Sequence, residues 1–175
     1  EGTRHNIGFV VLATLAHRCG ASRPKAGFQG EVVEAAIRGE KVLLLCPTTY
    51  MNRSGASVQA AVAFYKLPLE EMLVVCDDLN LPLGRIRIRP EGSTGGQKGL
   101  ADIVRRLGSQ EFPRLRVGIG QPPERWDAAD YVLSKFTKEE QEEVDLAVQR
   151  AADAVTAWVV EGIQASMNQY NGSSS

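Results

Sequence analysis

The chain has 175 residues, 43% of them hydrophobic and 23% charged, a composition typical of one globular domain of ordinary size. The formal net charge is −1, so bulk charge alone indicates no polyanionic partner. The cysteines are odd in number and lack CxxC spacing, which argues against a disulfide framework or a zinc site and favours a reducing compartment. No segment has transmembrane length and no signal-peptide pattern stands at the start of the sequence. We therefore expect a cytoplasmic protein, or an organelle-matrix protein if the source is eukaryotic.

Hydrophobic periodicity and turn residues predict an alternation of helices and strands along the chain. In chain order, we predict a helix over 7–19, a loop over 21–30, hairpin strands over 31–37 and 41–46, a helix over 54–65, strands over 72–77 and 84–90, a glycine-rich loop over 91–99 leading into a helix that ends near 107, a strand over 114–120, a short helix within 126–136 and a long helix over 137–162. Ser54 is expected to cap the second helix, and Thr137 with Glu140 forms a capping box on the last. This order predicts a single three-layer α/β domain over residues 1–175, with a mixed, mostly parallel twisted sheet flanked by helices.

Charges are unevenly distributed along the sequence. Residues 85–116 contain eight basic and three acidic residues, whereas residues 124–161 contain four basic and ten acidic residues. Both segments could be ordinary solvated faces. The basic segment, however, lies on two predicted strands and a glycine-rich loop, which aim side chains and backbone N–H groups in fixed directions. That placement favours a basic strip for a polyanion, backed by an acidic helix.

Polar side chains stand where two predicted strands end. Asn52 follows one strand, and Asp77 and Asp78 end another. Because ligands of open α/β sheets bind outside the carboxyl ends of strands, these residues could meet in one cleft, and His5 could join them. A histidine beside an aspartate can act as a general base, and an asparagine amide can hold a water or a carbonyl. The alternatives are that His5 is a loop or capping residue, and that the aspartates only cap a strand.

Other chemistries find little support in the sequence. There is no GxSxG nucleophile motif, and the negative charge of Asp77 disfavours a thiolate on Cys76. With two histidines and no HExxH pattern, a catalytic metal is not expected. Gly99 follows Lys98 where a phosphate-binding P-loop would need Ser or Thr.

Five stretches, in the same order along the chain, resemble motifs of the bacterial-type peptidyl-tRNA hydrolase family. They are "TRHNIGF", "PTTYMNRSG", "VVCDDLNLPLGRIRIR", "GSTGGQKGL" and "FPRLRVGIGQP", and they span residues 3–122. The resemblance implies a hydrolase that cleaves the ester between a peptide and the terminal ribose of tRNA, and so recycles prematurely released peptidyl-tRNA. It implies no cofactor and no metal.

The resemblance also implies roles for individual residues. His5 would be the general base, Asp77 the carboxylate that orients it, and Asn52 a holder of the catalytic water. The residues implied to bind substrate are Tyr50, Met51, Asn52, Gln97 and Lys98, and those implied to grip a tRNA phosphate are Arg87, Arg89 and Arg116. The implied partner is peptidyl-tRNA, contacted through its acceptor stem, its 3′ CCA end and its peptide. We expect a monomer, because a bulky tRNA needs open access to the cleft.

Two features depart from the family pattern. The family begins with an apolar strand and a "GLGNPG"-like turn before the histidine segment, so we expect that strand, with its asparagine, upstream of Glu1. The common His-Asn pair of the glycine loop reads Gln97-Lys98 here, and Lys98 cannot accept the hydrogen bond that an asparagine could. Residues 171–175 are expected to form a disordered tail.

Two other functions are compatible with parts of this pattern. Relatives of the family in chloroplasts act as splicing factors of group II introns, binding RNA and a protein partner without hydrolysis. Such a relative would share the basic strip, but it should also carry an exposed apolar patch for its partner. The third possibility is an α/β hydrolase or phosphorylase that binds a small phosphate in the glycine loop and has no affinity for tRNA.

Overall fold

The computed structural model describes residues 2–172, except for the side chain of Asn52. The helices are α1 (Ile7–Arg18), α2 (Ser54–Tyr65), α3 (Lys98–Leu107), α4 (Ala128–Val132), α5 (Lys138–Glu161) and α6 (Ile163–Tyr170). The strands are β1 (Lys25–Gly27), β2 (Gly30–Ile37), β3 (Glu40–Pro47), β4 (Val74–Asp78), β5 (Ile86–Arg89) and β6 (Arg114–Gly118). Among the helices in this part of the chain, none is long and apolar enough to cross a lipid bilayer.

The strands form two three-stranded sheets, in the orders β1-β2-β3 and β4-β6-β5. The first is antiparallel throughout, and its β2–β3 hairpin turns at Arg38 and Gly39, both with positive φ. In the second sheet β4 and β6 are parallel, and β5 and β6 are antiparallel. The predicted α/β domain with mixed strands is confirmed, but the expectation of a mostly parallel sheet is wrong for the strands described. In the first sheet the hairpins account for the difference, since a short connection can join only antiparallel neighbours. In the second sheet β5 and β6 are antiparallel although α3 lies between them in the chain.

The domain has three layers, with helices on both sides of the sheets. One face packs α1, α5 and α6 into the main core, where Ile86 and Ile88 of β5 meet Val144 and Val148 of α5. The opposite face packs α2 and α3 over β4 in a smaller core that includes Cys76, Leu100, Ile103 and Phe112. Because side chains alternate between the two faces of a strand, Arg87 and Arg89, which alternate with these isoleucines, face away from α5.

Two local predictions are corrected by the structure, and one helix was not predicted. The segment expected to be a loop contains the short strand β1, which pairs with the start of β2. The long helix α5 ends at Gly162, where φ is 96°, as predicted, but the additional helix α6 follows it. Ser54 is the first residue of α2 and not its cap, because its hydroxyl donates backwards to the Met51 carbonyl oxygen at 2.9 Å.

A large cavity separates the two sheets. Strands β3 and β4 are sheet edges that do not pair in the described part of the chain, although α1 packs against both. The cavity, of about 1450 Å³, is lined by Leu43 and Leu45 of β3 and by Val74 and Cys76 of β4. It continues to the end of β4, where the polar residues of interest lie.

Strand β5 is the outer edge of its sheet, and the C-terminal segment covers part of that edge. The Asn171 side chain accepts a hydrogen bond from the Ile88 N–H at 2.8 Å and donates one to the Ile88 carbonyl at 2.9 Å. These bonds satisfy both backbone groups of an edge residue. Of the tail predicted over 171–175, residues 173–175 lie outside the described residues.

Candidate active site

His5 follows a deeply anchored arginine. The Arg4 side chain is 3% exposed, and its guanidinium donates to both carboxylate oxygens of Glu140 at 3.1 and 2.9 Å. It also donates to the Ser134 hydroxyl at 2.9 Å and lies over the ring of Tyr131 at 4.3 Å. Burial alone would disfavour the Glu140 carboxylate, but the hydrogen bonds from Arg4 and Thr137 outweigh it and hold the pKa of Glu140 below its ordinary value. Arg4 thereby fixes the segment before α1 to the start of α5.

A glycine brings α1 close to the strand that carries the aspartates. A Cβ atom placed on Gly8 would lie 2.5 Å from the carbonyl oxygen of Val75 in β4. Any larger residue would push the helix away from the strand. This close approach places His5, just before α1, beside Asp77, two residues along β4 from Val75.

His5 and Asp77 form a hydrogen-bonded pair. His5 Nδ1 lies 2.9 Å from Asp77 Oδ1, and the side chains are 15% and 4% exposed. Since an ionised carboxylate can only accept, Nδ1 carries the proton and donates to Asp77. The lone pair of the neutral imidazole is then on Nε2, so the pair has the chemistry of an oriented general base.

Asp78 serves the opposite face of the same strand. Its Oδ2 lies 3.5 Å from Arg116 Nη1, and its Oδ1 accepts from the Asn80 N–H at 2.8 Å. Arg116 also donates to the Ser93 carbonyl of the glycine-rich loop, and Asn80 donates to the Gly95 carbonyl at 3.3 Å. The two adjacent aspartates therefore have different partners: Asp77 contacts the histidine, and Asp78 contacts Arg116 and Asn80, which bind the glycine-rich loop.

Four arginines share one face of the β5–β6 pair, which we call the arginine face: Arg87, Arg89, Arg114 and Arg116. Arg87 is directly opposite Arg116, and Arg89 is opposite Arg114. Arg114 is fully buried and donates to the carbonyls of Phe112, Gly92, Ser93 and Gln110, and burial with repulsion from Arg116 lowers its pKa. Arg87 and Arg89 are exposed. Like charges directly opposite each other are unfavourable, so this face is suited to an anionic ligand.

The remaining predicted site residues lie around the end of β4. Met51 and Gln97 line the same cavity as His5 and Asp77. Gln97 is the N-cap of α3, Lys98 is the exposed first residue of that helix, and Tyr50 is 81% exposed. Asn52 belongs to a 3₁₀ turn over Met51–Arg53, and its side chain lies outside the described part of the molecule.

The thiol beside the site is chemically inert. Burial first, and the Asp77 charge second, raise the pKa of Cys76 to about 12. A thiol with such a pKa supplies almost no thiolate at neutral pH, as the sequence predicted. Among the described residues, no three His, Cys, Asp or Glu side chains are grouped so that they could hold a metal ion.

Two contributors to the site were not found from the sequence. Arg4 meets Glu140 across 136 positions, and no local pattern signals such a pair. Asp78 was expected in the same cleft as Asp77, and its contact with Arg116 was missed, although strand alternation places it on the opposite face, beside Arg116. His5 and Asp77 do come together as the strand-end argument predicted.

Comparison with known proteins gives a consistent result. The family model for peptidyl-tRNA hydrolase matches residues 1–175. A peptidyl-tRNA hydrolase of Rhodopirellula baltica is 54% identical over 174 residues, covering 99% of this chain and 92% of the relative. One from Chloroflexus aggregans is 51% identical over 170 residues, covering 97% and 90%. The crystal structure of peptidyl-tRNA hydrolase from Acinetobacter baumannii superposes with a TM-score of 0.91 at 38% identity, covering 98% of this chain and 87% of that one.

The fold and the polar strand end are those of a single-domain α/β protein with a histidine–aspartate pair beside a basic surface. At this identity over nearly the whole length, the chain belongs to the peptidyl-tRNA hydrolase family.

Proposed function

We propose that this protein hydrolyses the ester that joins a peptide to the 3′-terminal ribose of tRNA. The observation that carries the proposal is the His5–Asp77 pair, which lies at the end of β4 with the arginine face on the other side of that strand. The His5–Asp77 pair supplies an oriented base, and the arginine face supplies positive charges for a phosphate backbone. Family membership and the names of the relatives point to the same reaction.

In the proposed reaction, His5 Nε2 takes a proton from a water molecule as the water oxygen attacks the ester carbonyl carbon. Asp77 keeps the imidazole in the required tautomer and stabilises the imidazolium that forms. Collapse of the tetrahedral intermediate breaks the bond to the ribose oxygen, which receives the proton from His5. The products are a free peptide carboxylate and a tRNA with an intact ribose hydroxyl. Asn52 is proposed to hold the water, and Met51, Tyr50 and Lys98 to contact the peptide or the CCA end.

The arginine face is proposed to bind the phosphate backbone of the acceptor stem. Arg87 and Arg89 are exposed and contact solvent, whereas Arg116 is already directed by Asp78 and Ser93. Contacts with phosphates position a nucleic acid without reading its sequence. Such contacts suit an enzyme that accepts many different tRNAs.

Release of an N-blocked amino acid from its tRNA tests the catalytic proposal. We expect wild type to cleave the ester, and His5→Ala and Asp77→Asn to lose most of the rate, because each removes part of the base. His17→Ala is the matched control, since this second histidine lies in the last turn of α1. A wild-type protein that binds the tRNA but leaves the ester intact would support the non-hydrolytic RNA-binding alternative.

We also propose that a further strand, encoded upstream of Glu1, fits between β3 and β4. The support is the cavity itself, which is bounded by two strand edges and contacted by α1. A strand there would pair both edges, which would otherwise leave backbone groups without partners. Hydrogen exchange of the β4 amides provides the test: a protein extended at its N-terminus should protect them more strongly than residues 1–175 alone.

We propose that the protein is a monomer. We also propose that it acts in the cytoplasm, where its tRNA substrate is found. Sedimentation of the protein alone and with tRNA would test the monomer. A stable dimer whose interface covers the arginine face would contradict it, because the substrate could not reach that surface.

A further inference from the structure

Gln97 joins the start of α3 to the catalytic carboxylate. As the N-cap of α3, its side-chain oxygen accepts a hydrogen bond from the Leu100 N–H at 2.6 Å. Its side-chain nitrogen donates to Asp77 Oδ1 at 3.1 Å, the same oxygen that accepts from His5 Nδ1 at 2.9 Å. One amide therefore contacts both the helix and the residue that orients the base.

The amide of Gln97 has no N–H donor left for a substrate. It offers two N–H donors and one oxygen acceptor. The oxygen holds Leu100, and the nitrogen faces Asp77 and also the Met51 sulfur at 3.7 Å. To donate a hydrogen bond to the peptide, Gln97 would have to break its contact with Asp77 or with Met51.

The packing of Met51 keeps the start of α3 close to the start of α2 and to Asp77. A Cβ on Gly99 would lie 2.5 Å from the Met51 sulfur, so a larger residue at position 99 would displace the Met51 side chain from the first turn of α3. Met51 in turn lies within 3.8 Å of the Ser54 hydroxyl at the start of α2. The starts of α2 and α3 thus meet beside Asp77.

We infer that Gln97 is a positioning residue that fixes the orientation of Asp77 and, through it, of His5. The inference rests on the proposed function, in which His5 is the general base. With His5 as its only partner, the Asp77 carboxylate could rotate together with the imidazole. A second donor, on a helix that does not carry the histidine, removes that freedom. A carboxylate oxygen has two lone pairs, so both donors can be accommodated at once.

Two substitutions separate the contact with Asp77 from the helix cap. Gln97→Met removes both, with little change in side-chain length. Gln97→Glu keeps an oxygen for the Leu100 N–H but replaces the donor to Asp77 with a negative charge. We expect kcat to fall about tenfold in Gln97→Met, equivalent to one hydrogen bond to a charged group of about 1.4 kcal/mol, with KM nearly unchanged. The kcat of Gln97→Glu should fall further than that of Gln97→Met, although the Gln97→Glu variant keeps its helix cap.

The matched control is Gln59→Met. Gln59 donates to the Arg106 carbonyl at 3.1 Å, so this change also removes a glutamine contact with α3, but far from Asp77. Its kcat should equal that of wild type. All rates are measured at a temperature where thermal unfolding shows every variant to be folded.

A double-mutant cycle with Asp77→Asn completes the test. If Gln97 acts through Asp77, then adding Gln97→Met to Asp77→Asn should lower the rate by less than about twofold, since the interaction has already been lost. A raised KM with normal kcat would overturn the inference in favour of substrate binding. A fully active Gln97→Glu would overturn it in favour of capping alone. If His5→Ala and Asp77→Asn are themselves fully active, the proposed role of His5 as the base fails, and if wild type leaves the ester intact, the proposed function fails. Both results are distinct from either outcome for Gln97.

Discussion

Individual residues in this site depend on partners that are far away in sequence. His5 has Asp77 as its hydrogen-bond partner, Asp77 is also held by Gln97, and the backbone before His5 is anchored by Arg4 to Glu140. His5 is thus supported by contacts that extend to α3 and α5, in addition to α1, which follows it directly. Contacts from residues that do not react themselves hold a general base in the position where it can accept a proton from water.

At this scale, Arg4 allows a direct prediction. Arg4→Met should destabilise the fold by about 3 kcal/mol, because it leaves a partly buried Glu140 without its bidentate partner. It should also lower kcat more than it raises KM, because His5 is the next residue. Urea unfolding and steady-state kinetics measure the two effects.

The matched control for Arg4 is Arg18→Met. Arg18 pairs with Asp153, and both side chains are at least one-third exposed. Exposed ion pairs contribute about 0–1 kcal/mol, so this variant should unfold almost like wild type and keep its rate. Equal losses in the two variants would contradict a special role for Arg4.

At the scale of elements, the site is the meeting point of the starts of three helices with the end of one strand. Helix α1 approaches β4 through Gly8, and α2 is tied to α3 through Asp102. Asp102 is 4% exposed and accepts from the Gly55 N–H at 2.8 Å, in the first turn of α2. These contacts determine whether the side chains on the different elements meet.

Gly8→Ala tests the approach of α1 to β4. The added methyl would collide with the Val75 carbonyl, and a strand backbone cannot move aside without moving Asp77. We expect a loss of both activity and stability, measured by ester hydrolysis and thermal unfolding. Thr14→Ala is an equally small change on the exposed side of α1 and should alter neither. An active, stable Gly8→Ala would show that the helix can shift without cost to the site.

Asp102 should make stability depend on pH. Burial raises its pKa, but hydrogen bonds from Arg105 and the Gly55 N–H, with the charge of Arg106, outweigh burial, so the pKa in the folded protein is lower than in the unfolded chain. The ionised group therefore stabilises the fold above the unfolded pKa near 4, and this contribution is lost as pH falls through the lower folded value.

The comparison is with Asp102→Asn, which cannot titrate. At neutral pH we expect it to be less stable than wild type by about 1–3 kcal/mol, because it loses charge-assisted hydrogen bonds. The difference should shrink as pH falls from about 4 through the lower folded pKa of Asp102, because protonation removes the charge of the wild-type carboxylate. A difference that is constant from pH 7 to pH 3 would mean that the Asp102 charge is not what stabilises the junction.

The elements illustrate what could be predicted from sequence. Helices with a strong apolar stripe or a capping box were placed well, because these patterns are local. His5 and Asp77 were expected to meet because ligand sites of α/β sheets form at the carboxyl ends of strands. The relative direction of the strands was predicted wrongly, since it depends on which strands become neighbours in the sheet. The function of Gln97 was also missed: a glutamine in a glycine loop gives no sign that its amide will reach a strand 20 positions away.

At the scale of the whole molecule, charge is separated across the sheet. The arginine face points away from α5, while α5 carries most of the acidic residues of the segment 124–161 on its exposed side. Arg87→Gln combined with Arg89→Gln should weaken tRNA binding and reduce the slope of log K against log salt by about 2, if each residue contacts one phosphate. Filter binding over a range of salt concentrations measures this slope.

Lys138→Gln, at the start of α5, is the matched control for this charge change. It removes one positive charge on the far side of the sheet, so the slope should stay at the wild-type value. A change in slope half as large as that of the double variant would mean that binding senses only total charge, because Lys138→Gln removes one charge and the double variant removes two.

The separation of charge also affects how the two molecules meet. With a net charge of −1, the protein as a whole is not attracted to a polyanion from a distance. Its electric dipole, however, experiences a torque in the field of the tRNA, which turns the arginine face towards the phosphates and the acidic helix away. Encounters would then begin with the cleft already turned towards the substrate, so the unequal distribution of charge that we propose for affinity would also shorten the search for the productive orientation.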